Sequence, residues 1–168
     1  MVADLLEISL VENHIPSLRA VDLTNLVQDT LKIYEQTIAE KNTKVYYDQL
    51  PTVWSDPVLL YRVFQNIISN AIKFHKDDSN PRIEIKASLE GAFWQITICD
   101  NGIGIDSQHY NKVFEFFNKL NTRADYVGSG VGLAFCKKSI ESIGGSIWIK
   151  SQPDKGSCIY FTLPRNVT

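Results

Sequence analysis

The chain has 168 residues, 44% of them apolar, with 17 basic against 19 acidic side chains; this is the make-up of one compact domain and excludes a disordered chain. A net charge of −2 and a pI near 5.9 provide no basic footprint for phosphate backbones or an anionic membrane, so nucleic acid is excluded as a partner. No run approaches the roughly 18 uninterrupted apolar residues of a spanning helix. Asp4, Glu7 and Glu12 precede Arg19, so no secretory signal is expected either.

In chain order, Val2, Leu5, Leu6 and Leu10 show helical spacing with no capping loop before them, as if the chain continued a helix from a preceding segment. A polar connector, His14–Ala20, follows. Asp22 can cap a helix reaching about Glu40, and Lys44–Leu50 reads as a short strand. Ser55-Asp56-Pro57 opens a helix to about His75, with a polar cap and Pro in the first turn. Two β-rich runs, Arg82–Leu89 and Phe93–Cys99, are split by Glu90-Gly91 as a hairpin.

Ser107–Phe114 reads as a short helix, Glu115–Gly130 has no regular period, and Val131–Ile143 is a helix ending at Gly144-Gly145. Two last strands cover Ser146–Ser151 and Ser157–Leu163. The order predicts an α+β fold, a two-layer sandwich whose mixed sheet is covered on one face by helices. An irregular stretch as long as 115–130 in a compact domain is usually functional. Cys99, Cys136 and Cys158 are odd in number and scattered, which argues against a disulfide framework or a zinc site and fits a reducing cytoplasm.

Three constellations carry chemistry. Asn66, Asn70, Lys73 and Phe74 stand at i, i+4, i+7 and i+8 of the third helix and share one face. Asparagine costs roughly half a kcal/mol relative to Ala inside a helix, so two on one flank ask for a reason. An amide oxygen suits a hard cation such as Mg²⁺, and Lys73 suits phosphate; tolerated boundary polar residues are the plain alternative. Asp100-Asn101-Gly102-Ile103-Gly104-Ile105 follows an apolar strand. Its alternate glycines allow close approach of a flat ligand, and Asp100 requires a donor such as an adenine amine. Gly128-Ser129-Gly130-Val131-Gly132-Leu133 opens a helix, where unpaired N–H groups hold anions, and Lys119 and Arg123 upstream can close over a triphosphate. The glycine pattern fits neither the dinucleotide fingerprint nor the P-loop.

In sequence order, Asn66-x-x-x-Asn70-x-x-Lys73-Phe74, DNGIGI, VFEFF and GSGVGL resemble the four boxes of the histidine-kinase catalytic and ATP-binding domain, in the superfamily that includes DNA gyrase, Hsp90 and MutL. The resemblance covers about residues 20–164. It implies the Bergerat ATP-binding fold and the cofactors ATP and Mg²⁺. It further implies that Asn70 ligates Mg²⁺, that Asn66 and Lys73 approach the phosphates, and that Phe74 lies against the nucleotide. Asp100 would take the adenine amine in a pocket shaped by Gly102, Gly104 and Ile105. Residues 115–127 would form a lid over ATP, with Lys119 where many relatives carry Arg, which keeps charge but loses the bidentate fork. By the same resemblance, residues 1–15 are the end of a dimerisation helix plus linker, and 16–168 are the catalytic domain.

The implied reaction is transfer of the γ-phosphoryl to a histidine on dimerisation and phosphoacceptor helices outside this chain. The parent would be homodimeric, with a response regulator as its partner, cytoplasmic or membrane-anchored as a whole. His14, His75 and His109 are not followed by the acidic residue of an acceptor box, and each reads as a linker or surface histidine. Two alternatives belong to other classes: a non-catalytic ATP-responsive interaction domain, and an ATP-hydrolysing conformational module of the gyrase or Hsp90 type. Asn66 opposes the last, because those relatives carry Glu there to activate water and an amide is no general base.

Overall fold

The third predicted helix is the axis of the molecule. In the computed structural model, which describes residues 2–118 and 130–165, it is α4, Pro57–Lys73, counting helices α1 Val2–Asn13, α2 Leu23–Ile33 and α3 Glu35–Glu40 before it. Pro57 occupies the first turn, where no N–H is needed, and the Asp56 side chain accepts from Leu59 N at 3.0 Å. Leu59, Leu60, Val63, Phe64, Ile67, Ile68, Ala71 and Ile72 are buried along one wide face.

That face lies on a mixed sheet of β2 Lys44–Tyr47, β4 Arg82–Glu90, β5 Phe93–Asp100, β6 Ile147–Gln152 and β7 Gly156–Pro164, in spatial order β2-β4-β5-β7-β6. Among the described residues, only β2 and β4 run parallel. The period-2 alternation decides the faces: Ile83, Ile85, Ile96, Ile98, Ile159, Phe161 and Leu163 turn inward. Phe64 meets Phe161 edge-to-face with ring centroids 5.5 Å apart. Burying each such side chain is worth about 2–3 kcal/mol, so Phe64→Ala should be among the most damaging core changes. The outer face carries polar and aromatic side chains, with Trp148 stacked on Tyr160. The helix after the glycine-rich segment, α5 Gly132–Ser142, packs beside α4 over β6 and β7.

The α+β sandwich is as expected, and five local readings change. The helix from Asp22 is broken at Tyr34 (φ −101°, ψ 13°) into α2 and α3. The connector and the residues after the first strand pair as β1 Arg19–Asp22 and β3 Thr52–Ser55, a separate two-stranded sheet beside the entry to α4. Ser107–Phe114 is two 3₁₀ turns rather than one helix. Cys99 and Cys158 stand opposite each other on β5 and β7 and are disulfide-bonded, against the expectation from their scattered spacing. Antiparallel pairing across 59 positions of sequence brings them together, and linear spacing does not encode that register. Cys136 is the small buried hydrophobe expected of it.

His14 is the fifth. Its Nε2 lies 2.7 Å from Oδ2 of the buried Asp56, so this histidine is a structural partner rather than free linker. Among the described residues, no helix is long and apolar enough to cross a membrane.

Candidate functional site

One turn beyond its apolar face, α4 presents Asn66, Asn70 and Lys73 on the flank of a cleft of about 500 Å³, as their 3.6-residue spacing requires. Phe74, the residue that ends the helix, lies under the Lys73 ammonium, which stands 5.0 Å from its ring centroid. Across the cleft is Asp100 at the end of β5, and Ile149 from β6 and Ile159 from β7 give an apolar lining. The cleft is thus apolar around one carboxylate and polar along one helix.

The loop after β5 is held from three sides. Ile103 N donates to Phe74 O at 3.0 Å, Asp154 N donates to Ile103 O at 2.7 Å, and Ile105 N donates to Ser151 Oγ at 2.7 Å. Its glycines are needed for protein packing more than for ligand approach. A Cβ at Gly102 would meet Phe74 O at 2.2 Å, and one at Gly104 (φ +69°) would meet Gln152 O at 1.8 Å. The Tyr110 hydroxyl bonds both the carbonyl and the N–H of Ser151, tying the 3₁₀ segment to the same turn.

Asp100 accepts from Gly102 N at 2.8 Å and from Ser157 N at 3.3 Å, both at Oδ1. Burial pushes its pKa up to about 6, although these two N–H groups pull the other way. Such a carboxylate lacks the hydration it would have in water, and Oδ2 takes neither of those donors, so a ligand N–H is well matched to it. At the other end, Asn66 Nδ2 is buried, makes no hydrogen bond of ordinary geometry and is approached by the Glu7 carboxylate, and Asn66 Oδ1 would lie 2.9 Å from a Cβ at Gly132. A buried amide donor that already faces a carboxylate, beside Lys73 and a glycine helix start, suits an anion.

Asn66, Asn70, Lys73, Phe74, Asp100, Gly104, Ile105, Gly130, Gly132 and Leu133 all line this one cleft. Gly102 lies behind Asp100, and Val131 is fully buried in the interior. Lys119, Arg123, Gly128 and Ser129 lie outside the described residues.

Sequence reasoning missed the contribution of α1. Ala3, Asp4 and Glu7 line the same cleft, and Glu7 is 4.0 Å from Arg62. Burial raises the Glu7 pKa, while the Arg62 cation and the Asn66 amide oppose the rise. Nothing local in residues 1–13 marks that reach. His109, also read as a surface histidine, lines the cleft with Nδ1 buried and unpartnered.

Residues 55–167 match the family described as histidine kinase-, DNA gyrase B- and HSP90-like ATPase. The chain is similar to the phytochrome-like protein Cph1 of Synechocystis sp., 38% identical over 98% of this chain and 22% of Cph1. It is also similar to the adaptive-response sensory kinase SasA of Rippkaea orientalis, 35% identical over 83% of this chain and 36% of SasA. Among solved structures, full-length ShkA in complex with AMPPNP superposes with a TM-score of 0.84 at 22% identity, covering 99% of this chain and 35% of ShkA. The chain thus spans less than half the length of these curated relatives, 22% of Cph1 and 36% of SasA.

Proposed function

Because the chain belongs to the histidine kinase-, DNA gyrase B- and HSP90-like ATPase family, we propose that its cleft binds ATP·Mg²⁺ and presents the γ-phosphoryl to a histidine on dimerisation and phosphoacceptor helices outside this chain. The observation that carries this reading is one cleft with a half-dehydrated carboxylate, Asp100, at one end and Asn66, Asn70 and Lys73 at the other. Asp100 accepts from the adenine N6 amine, whereas guanine presents an acceptor there. Lys73, the Asn66 amide and the α5 N-terminus meet the phosphates, and Lys119 and Arg123, which lie outside the described residues, supply further cations for them.

The donor set fits Mg²⁺ and does not fit a protein-only cage. Asn70 offers an amide oxygen, and no group of three His, Cys, Asp or Glu side chains assembles among the described residues. Asn70 would hold the ion, with phosphate and water oxygens completing its shell. When bound, Mg²⁺ supplies neutralisation of phosphate charge. What remains for the protein is positioning: the apolar lining excludes water from the base, and Lys73 orients the phosphates.

The exposed Val2, Leu5 and Leu6 on α1 are the apolar side of the end of a dimerisation helix, which with its linker occupies residues 1–15, and the parent kinase is a cytoplasmic homodimer that passes phosphate to a response regulator. The test is transfer from γ-labelled ATP to a dimerisation fragment of the same parent. Label on that fragment's histidine supports the reading. ATP binding with no transfer supports instead a non-catalytic, ATP-responsive interaction domain, and rapid steady hydrolysis supports a gyrase-like module.

A further inference from the structure

We propose that Cys99 and Cys158 form a reversible thiol–disulfide site that takes a low-molecular-weight disulfide as oxidant and thereby sets nucleotide affinity; the second half of this rests on the ATP reading above. The two cysteines are direct register partners on β5 and β7, with Cα atoms 4.0 Å apart, so the antiparallel ladder keeps the two sulfurs opposite each other whether or not they are bonded. Inward-facing Ile98 and Ile159 precede and follow them, so both sulfurs lie on the outer face of the sheet, half-exposed. Cys136, by contrast, is fully buried and out of reach of an oxidant.

Their outer-face neighbours differ in charge. Register places Lys150 beside Cys158 and Glu84 beside Cys99. Lys150 Nζ lies 5.5 Å from the Tyr160 ring, and Glu84 is paired with Lys86 at 2.6 Å. A cation one strand away favours thiolate, so Cys158 is the attacking sulfur. Its thiolate attacks the disulfide RSSR and expels one RS⁻; the Cys99 thiolate then attacks the mixed disulfide at Cys158 and expels the second. The cysteine pair gives up two electrons and two protons, and RSSR leaves as two RSH.

The site touches nucleotide binding because the residues next to the two cysteines are Asp100 and Ser157, whose N–H reaches Asp100 Oδ1 at 3.3 Å. At that length a small separation of β5 from β7 removes the bond. The position of a Cβ on Gly156 is only 2.0 Å from Asp100 O, so the strands already touch at this point. The disulfide fixes their spacing where the adenine acceptor is oriented. Disulfides of this kind, on an accessible strand pair, are the reversible rather than the structural sort in a reducing compartment.

The full chain is equilibrated with reduced or with oxidised glutathione, weighed intact, and titrated calorimetrically with ATP. The expected oxidised product is lighter by two hydrogen atoms, with Cys136 still alkylatable after unfolding, and binds ATP about three- to tenfold more tightly than the reduced chain, less than the loss of a whole charge-assisted hydrogen bond would give. Cys158→Ser should bind as the reduced chain does under both conditions. No intramolecular bond in oxidised glutathione, or equal ATP affinity in the two states, overturns the proposal while leaving ATP binding intact. Absence of ATP binding in both states overturns the ATP reading and the affinity effect together, and the mass change then reports the thiol chemistry by itself.

Discussion

His14 Nε2 lies 2.7 Å from Asp56 Oδ2, so the residue that follows the N-terminal helix is fastened to the carboxylate that caps α4. Ser17 N donates to the same oxygen at 2.7 Å, while Oδ1 receives Leu59 N. One buried side chain thereby joins α1, the connector and the principal helix.

Asp56 should accordingly be sensitive to substitution and to acid. Burial acts to raise its pKa, but the Leu59 N–H, His14 and the Ser17 N–H together outweigh burial and hold it below the usual carboxylate value. A carboxylate depressed in the folded state contributes stability above its unfolded value, and that stability is lost as pH falls through its lower folded value. Asp56→Ala should cost about 2 kcal/mol from the cap and its buried partners. Urea midpoints at neutral pH and near pH 3 check both, with the variant's deficit shrinking in acid.

Asp100 responds in the opposite sense. Its folded pKa of about 6 lies above the unfolded value, so the nucleotide-free chain gains stability from this group as pH falls from about 6 toward 4, and Asp100→Asn should stabilise it at neutral pH. ATP needs the ionised acceptor, so affinity should fall as pH drops through 6, with proton release on binding. Asp100→Ala should lose roughly 10- to 100-fold in ATP affinity, and wild type should discriminate against GTP. Calorimetry in buffers of different ionisation enthalpy reads both; equal ATP and GTP affinity would remove the adenine assignment.

Mg²⁺ should bind measurably only together with nucleotide, because Asn70 supplies one protein oxygen and the phosphates supply others. Asn70→Ala should then weaken ATP binding in Mg²⁺ but little in EDTA. Tight Mg²⁺ binding to the nucleotide-free chain, unchanged by that variant, contradicts this.

Glu7 places negative charge in the cleft lined by Asn66 and Lys73. Glu7→Gln should raise ATP affinity several-fold at pH 7.5, since a carboxylate and a triphosphate repel at short range in a partly buried site. Burial raises the Glu7 pKa, so the wild-type side chain is increasingly neutral as pH falls toward 5, and the ratio of variant to wild-type affinity should shrink there. A ratio of one at both values would show that α1 swings clear before ATP enters.

The isolated chain should bind ATP and hydrolyse it far below the common range of roughly 1–1000 per second. Position 66 is an amide, and His14 is engaged with Asp56 rather than presented as an acceptor. A steady-state phosphate-release assay, with a search for acid-labile label on the three histidines, decides it.

The α4 face with Asn66, Asn70 and Lys73, the hairpin at Gly91 and the carboxylate at the end of β5 were legible along the chain, because each depends on neighbours within a few residues and on a fixed period of 3.6 or 2. The order of the four boxes likewise marked one cleft before any strand was placed. The sheet order, the β1–β3 pair, the Cys99–Cys158 bond and the hold of Asp56 on His14 were settled only in three dimensions. Each joins positions tens of residues apart, and closing such loops costs entropy that is offset by the collective burial of the core rather than by any local signal. The same reason hid α1: its sequence specifies a helix, but packing against α5 is what carries Glu7 into the cleft.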